Sequence, residues 1–261
     1  MFFTGVNLFN FAFVTINALL LGLGSLCLGL RSIASAGVLA GWDKGQLLIF
    51  SSYTFGLFTL IALVLGSIFL AYPLLRKNKK LLFGITIFLD WIILIYLAAD
   101  AFIYPLYSTH LNFAMIQMTF LGGGRIVSFS LPMIFEIAAW ILGLGLLSWL
   151  FTFLSFKLAT FKKLSLTALV LVFAGFCFSN LCYSWGFANF NTRLVSVFDK
   201  IPLARPLRMN TQLQKLGLID KKAIDARKVS LDEHGKLNYP LNPLVCKPSK
   251  DYNILFLFVD T

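Results

Sequence analysis

The sequence predicts an all-α polytopic membrane bundle of five transmembrane helices, followed by a basic linker and the first β-strand of an α/β domain. Three observations predict it. The mean hydropathy is +0.84 and charged residues make up only 13% of 261, which excludes an ordinary soluble domain of this length. Apolar stretches of about 20 residues, long enough to cross a bilayer, recur along the chain. The closing run Asn253, Ile254, Leu255, Phe256, Leu257, Phe258, Val259, Asp260 is apolar and ends in a carboxylate. That is the pattern of a buried strand delivering an acid to a site. The other parts of such a site are absent, so the chain is expected to be a fragment.

The spans are expected at residues 8–30, 47–75, 81–104, 126–156 and 164–187. The first is not read as a cleaved signal, because residues 1–7 carry no Lys or Arg and the apolar stretch is longer than a signal core. Its Gly22, Gly24 and Gly29 are small residues that let helices approach. The second and fourth spans exceed the minimum length, which permits tilt. Trp42, Tyr72, Tyr104, Tyr183 and Trp185 lie near span ends, as interfacial aromatics do. Gly122, Gly123 and Gly124 before Arg125 lack the Gly-Lys-Ser/Thr of a phosphate loop and read as a turn.

Orientation follows from the cations. Arg76, Lys77, Lys79 and Lys80 follow the second span, and Lys157, Lys162 and Lys163 follow the fourth. The alternate loops hold fewer: Arg31 and Lys44 beside Asp43, then His110 and Arg125. Short basic loops stay cytoplasmic. The amino terminus is therefore expected inside, and everything after residue 187 outside, in a bacterium the periplasm. The net charge of +11 divides between cytoplasmic loops and the exported tail, which gives little support to a nucleic-acid partner. Cys27, Cys177 and Cys182 fall within spans and only Cys246 is exported, so no disulfide within the exported part and no zinc-type spacing is expected.

Charge inside a span is costly, about 2.5 to 3.5 kcal/mol per group on insertion scales. Asp90, Asp100 and Glu136 are the three cases. Asp90 falls near mid-membrane, whereas Asp100 and Glu136 share the outer half and are both expected to face the bundle interior. Two readings stay open for them: carboxyls that fix helix packing through neighbouring hydrogen bonds, or a polar cavity, helped by His110 or Arg125, that receives a lipid headgroup or a proton.

After residue 187 the composition turns basic and Pro-containing. Asn210 offers a cap to a short helix from Thr211 to Leu216, with Gly217 just past its end. Arg193, Lys200, Arg205 and Arg208 precede it and suit anionic headgroups; a solvated spacer is the other reading. Residues 219–249 read as an extended linker, with His234 a solvated histidine. The domains are thus 1–187 (membrane), 188–250 (linker with juxtamembrane helix) and 251–261 (first strand).

Five spans, a basic linker and the run ending in Asp260 resemble the amino-terminal part of membrane-anchored proteins with a sulfatase-like domain of the alkaline phosphatase superfamily. More narrowly, the chain resembles the Gram-negative inner-membrane YejM (PbgA) family. The similar stretches are Asp100 with His110, Leu111 and Asn112; Glu136; Ala188, Asn189 and Phe190; Pro202, Leu203 and Pro206; and Lys215, Gly217, Leu218 and Asp220. The resemblance implies a five-helix module that senses or binds lipopolysaccharide or an acidic phospholipid such as cardiolipin. It also implies a part in outer-membrane lipid homeostasis, through the LapB adaptor and the FtsH protease. Cardiolipin transport and a metal-dependent phosphatase activity have been proposed for such proteins. Asp260 would be the first ligand to a divalent metal (magnesium, manganese or zinc), while the nucleophile and remaining ligands come later, so the residues present are expected to be inactive. In that family a pair of arginines sits just inside the juxtamembrane helix, where lipid phosphate docks. This chain has Asn210 and Thr211 there, with Arg205 and Arg208 one turn earlier. Phosphoethanolamine transferases and lipoteichoic acid synthases share the architecture, but tend to show Glu where this chain has Asp260. A non-enzymatic sensor with a vestigial metal site is the remaining alternative.

Overall fold

The computed structural model describes residues 8–72, 78–121 and 130–217. The chain divides into two units, Met1–Ile219 and Asp220–Thr261, and the described residues belong to the first. The expected strand at 251–261, with Asp260, lies outside the described residues, as do Arg76, Lys77, Arg125, His234 and Cys246.

Five long apolar helices dominate: α1 (Leu8–Ser35), α2 (Lys44–Ala71), α3 (Lys79–Tyr107), α5 (Leu131–Leu158) and α6 (Lys162–Ala188). Each is long and apolar enough to cross a membrane, and the chain is a multi-pass membrane protein. A short helix, α4 (Phe113–Leu121), follows α3. Two further short helices, α7 (Thr192–Val195) and α8 (Asn210–Lys215), follow α6.

Most helix ends lie outside the expected spans, although α2 ends at Ala71 rather than at 75 and α5 begins at Leu131 rather than at 126; polar caps set two of the starts. Asp43 accepts from the Gln46 amide at 2.8 Å, and its own amide donates to Gln46 Oε1 at 3.0 Å. This reciprocal capping box starts α2 three residues before the apolar run. Asn78 Oδ1 accepts from the Leu81 amide and starts α3. That helix ends on Ser108, whose left-handed backbone (φ 54°) turns the chain back on itself.

The central helix is α1, which packs against each of the other four long helices. Alternate helices run in opposite directions, so one end of the bundle gathers Ser35, Lys44, Tyr107, Leu131 and Ala188. Gly56 on α2 lets Phe176 of α6 come close: a Cβ there would stand 2.6 Å from the Phe176 Cβ. Side chains also bond across helices to backbone carbonyls. Ser148 Oγ of α5 donates to Ile87 O of α3 at 2.6 Å, and Trp91 Nε1 of α3 donates to Ile141 O of α5 at 2.9 Å.

Candidate functional site

The end of the bundle that gathers Ser35, Lys44 and Ala188 is covered by residues 189–209. Composition alone suggests a tether here. Val197, Phe198 and Ile201 instead insert into an apolar cluster formed by Ile33, Ile49, Phe50, Tyr53 and Tyr183. The Phe198 ring meets those of Tyr53 and Tyr183 edge-on, each with centroids 4.9 Å apart. Polar contacts complete the attachment. Gln46 Nε2 donates to Arg193 O at 3.0 Å. Asn180 Oδ1 accepts from the Leu207 amide at 3.1 Å. Ser184 Oγ donates to Leu207 O at 2.6 Å and accepts from the Met209 amide at 3.3 Å. Residues 189–209 thus form a cap fixed by both apolar burial and backbone hydrogen bonds. The helix α8 packs against α6 beyond it, and Gly217 (φ 70°) follows that helix as anticipated.

The three arginines anticipated as lipid contacts, Arg193, Arg205 and Arg208, all lie on this cap, and all are exposed. The Arg193 carbonyl is bonded to Gln46, and Leu207 and Met209 on either side of Arg208 are bonded to α6, so the cations project from a fixed frame. The Arg208 guanidinium also lies 4.4 Å from the Phe187 ring centroid. Among the described residues the one ion pair joins His110 to Asp100, so none of the three is neutralised by a described carboxylate.

Asp100 and His110 form the polar node under the cap. Asp100 is buried near the end of α3, and the Ser108 turn returns His110 to it, with Nδ1 2.9 Å from Oδ2. The other carboxylate oxygen accepts from the Leu111 amide at 2.7 Å. His110 Nε2 lies 3.2 Å from the Asp199 carbonyl, which only accepts, while Nδ1 faces a carboxylate oxygen. The imidazole stacks on Tyr104 with centroids 4.7 Å apart, and Lys200 Nζ lies 5.6 Å from the same tyrosine ring. A small cavity beside the node is lined by Ser25, Ser32, Thr54, Asp100, Lys200 and Pro202, among others. Ser32 Oγ and Thr54 Oγ1 are buried there without a hydrogen-bond partner.

The structure does not bring Glu136 to this node. Its side chain is exposed, and the first nine residues of α5 are exposed with it. Glu136 stands in the second turn of that helix, close enough to the water-facing end for its carboxylate to avoid burial. The matched depth of Asp100 and Glu136 therefore does not produce a shared pocket; His110 takes the place beside Asp100. Asp90 is buried in the opposite half of the bundle, where Asn17 Nδ2 donates to it at 2.7 Å and Ser155 Oγ donates to Asn17 Oδ1 at 3.3 Å. This chain of bonds ties α1, α3 and α5 together, as the packing alternative requires. Of the cysteines, Cys182 packs on the apolar cluster beneath the cap, while Cys27 and Cys177 are exposed on the bundle surface.

Two features lie outside the sequence reading: the docking of residues 189–209, whose signal is the helical spacing of Leu194, Val197, Phe198 and Ile201, and Arg31 as part of an aromatic cluster. The guanidinium of Arg31 lies 4.5 Å from the Trp140 ring centroid and 4.8 Å from that of Phe102. Its signal in the sequence is only a basic residue near a span end.

No curated protein matches the chain. The family described as Domain of unknown function (DUF3413) matches residues 7–246, the whole of the bundle and cap described above, and the chain belongs to that family.

Proposed function

We propose that the chain is the membrane anchor and lipid-sensing module of a YejM-type inner-membrane protein. It binds lipopolysaccharide or an acidic phospholipid through the cap arginines. The observation that carries this reading is the placement of Arg193, Arg205 and Arg208. All three are exposed on a segment fixed to one end of a membrane bundle, and no described carboxylate pairs with them. A guanidinium offers a planar fork of N–H donors that matches phosphate oxygens, so a fixed arginine set at a membrane boundary suits lipid phosphates. The basic residues Lys79, Lys80 and Lys157 lie at the opposite end of the bundle, which supports an orientation with that end cytoplasmic and the cap in the periplasm. The same reading carries the LapB adaptor as a partner and a divalent metal on Asp260.

The test replaces Arg193, Arg205 and Arg208 together by Gln in detergent-solubilised protein. Retention of cardiolipin and lipid A is compared with that of phosphatidylcholine. At about 1 kcal/mol per basic residue near a charged surface, preference for the anionic lipids should fall on the order of a hundredfold. An unchanged preference would overturn the assignment of the cap as the lipid contact.

A further inference from the structure

We propose that Arg31, Phe102 and Trp140 form a second lipid site, one that takes the phosphate of a glycerophospholipid resident in the membrane. No residue of it belongs to the cap, and it stands whether or not the cap arginines bind lipid.

Three helices meet at this point. Arg31 is on α1, Phe102 on α3 and Trp140 on α5. The two rings stand nearly perpendicular, 85° apart with centroids at 5.5 Å, and the guanidinium sits in the corner they make. Cation–π contact with two rings fixes the orientation of a side chain that otherwise samples many rotamers. The N–H edge of the guanidinium is left to face outward, since Arg31 is exposed.

No described carboxylate pairs with Arg31. Glu136 lies one turn from Trp140 on the same helix, yet it is not within ion-pair distance of Arg31, and the one described ion pair is His110 with Asp100. A cation in a membrane protein without a carboxylate partner calls for another anion or for water.

The depth of the site selects the anion. The 28 residues of α1 span about 42 Å at 1.5 Å per residue, against a hydrocarbon core of about 30 Å. Arg31 is one turn from the end of that helix, at the level where hydrocarbon gives way to headgroups. The surface around it is apolar and open: Phe102 is 41% exposed, and Leu106 and Phe135 are more so. Acyl chains lie against such a surface while the phosphate meets the guanidinium fork. A preorganised fork above an apolar face recognises a phosphodiester on two acyl chains better than a free anion.

The test uses the full chain in detergent with Arg193, Arg205 and Arg208 all replaced by Gln, so that failure of the cap reading and failure of this one are distinguishable. Arg31→Gln, Arg31→Lys and Glu136→Gln are added singly. Retention of dioleoylphosphatidylglycerol is measured by native mass spectrometry against dioleoylglycerol, which has the same chains and no phosphate. Arg31→Gln should weaken the phospholipid on the order of tenfold, the size of one charge-assisted contact, and leave dioleoylglycerol unchanged. Arg31→Lys should fall between, because it keeps the charge and loses the fork. Glu136→Gln should leave retention unchanged or raised, and excess inorganic phosphate should not displace the lipid. Equal phospholipid retention by Arg31→Gln and its parent overturns the site. Equal loss of both lipids reduces Arg31 to a shaper of an apolar groove and overturns it too. Loss in Glu136→Gln that matches Arg31→Gln shows an Arg31–Glu136 pair instead, and displacement by inorganic phosphate shows a free-anion site. Should Arg31→Gln fail to elute as a single species, Arg31→Lys decides, with parental retention again overturning the proposal.

Discussion

His110 joins two parts of the chain through two different nitrogens, one toward the Asp100 carboxylate and one toward the Asp199 carbonyl. Truncating it would strand a buried acid with only the Leu111 amide as a partner, and would remove the contact with a cap carbonyl. The expectation is therefore coupling. His110→Ala should lower thermal stability in detergent by about 2 kcal/mol, and the loss should be smaller in an Asp100→Asn background, where no charge is stranded. A double-mutant cycle should give a coupling energy of about 0.5 to 3 kcal/mol; additive losses would show that the two residues do not act together. At this scale the sequence is partly legible. Asp100 and His110 can be placed at one end of the bundle from span positions alone, but their contact depends on a left-handed Ser108, a conformation that serine does not announce. Glu136 shows the opposite failure. A carboxylate inside an apolar run marks a span position, but the run does not tell whether that stretch of helix is packed or exposed.

Between helices, spacing is decided by what small residues admit. Gly56 meets the Cβ of Phe176, an atom that cannot move without its backbone. Gly84 and Gly143 have open space where a Cβ would stand. Gly56→Ala should therefore push α2 and α6 apart and cost about 1 to 3 kcal/mol by overpacking. Gly84→Ala should be neutral or slightly stabilising, since alanine is the better helix former. Thermal melts of the two variants in one detergent check the contrast, and equal effects would remove the packing role of Gly56. The five long helices are legible because an apolar run long enough to cross a bilayer would be hard to bury in a water-soluble fold, and in lipid only a helix satisfies its backbone within one segment. Their exact ends are not, because the capping box of Asp43 and Gln46 lies in polar sequence outside the apolar window. The helix α4 escapes for a related reason: its nine residues are too few to register as a span.

At the scale of the whole described unit, the bundle and its cap are two layers joined by one apolar cluster. The apolar residues of this segment, Leu194, Val197, Phe198 and Ile201, stand at i, i+3, i+4 and i+7, the spacing of one helical face. The run is short and sits in a basic, Pro-containing stretch, so composition reads as a spacer and the three-dimensional packing reveals a docked segment. Phe198 is the natural place to separate the layers, because its ring is buried against Tyr53 and Tyr183 and it lies outside the five long helices. Deleting a buried phenyl group typically costs about 3 to 5 kcal/mol. That loss falls on the cap, which is otherwise held by the smaller Val197 and Ile201 and by a few hydrogen bonds of about 1 kcal/mol each. Phe198→Ala should thus release residues 189–209 while helical content by circular dichroism stays near its original value. Trypsin offers the readout, since Arg193, Lys200 and Arg208 lie in this stretch, each followed by a residue other than proline. The parent should resist cleavage there, and the variant should be cut several times faster at those sites than at Lys157, an internal control at the other end of the bundle. Cleavage at the parental rate would mean that Val197, Ile201 and the hydrogen bonds hold the cap without Phe198. Loss of helix together with fast cleavage would mean that cap and bundle fold as one layer, with lipid contacts on the cap inseparable from the stability of the spans.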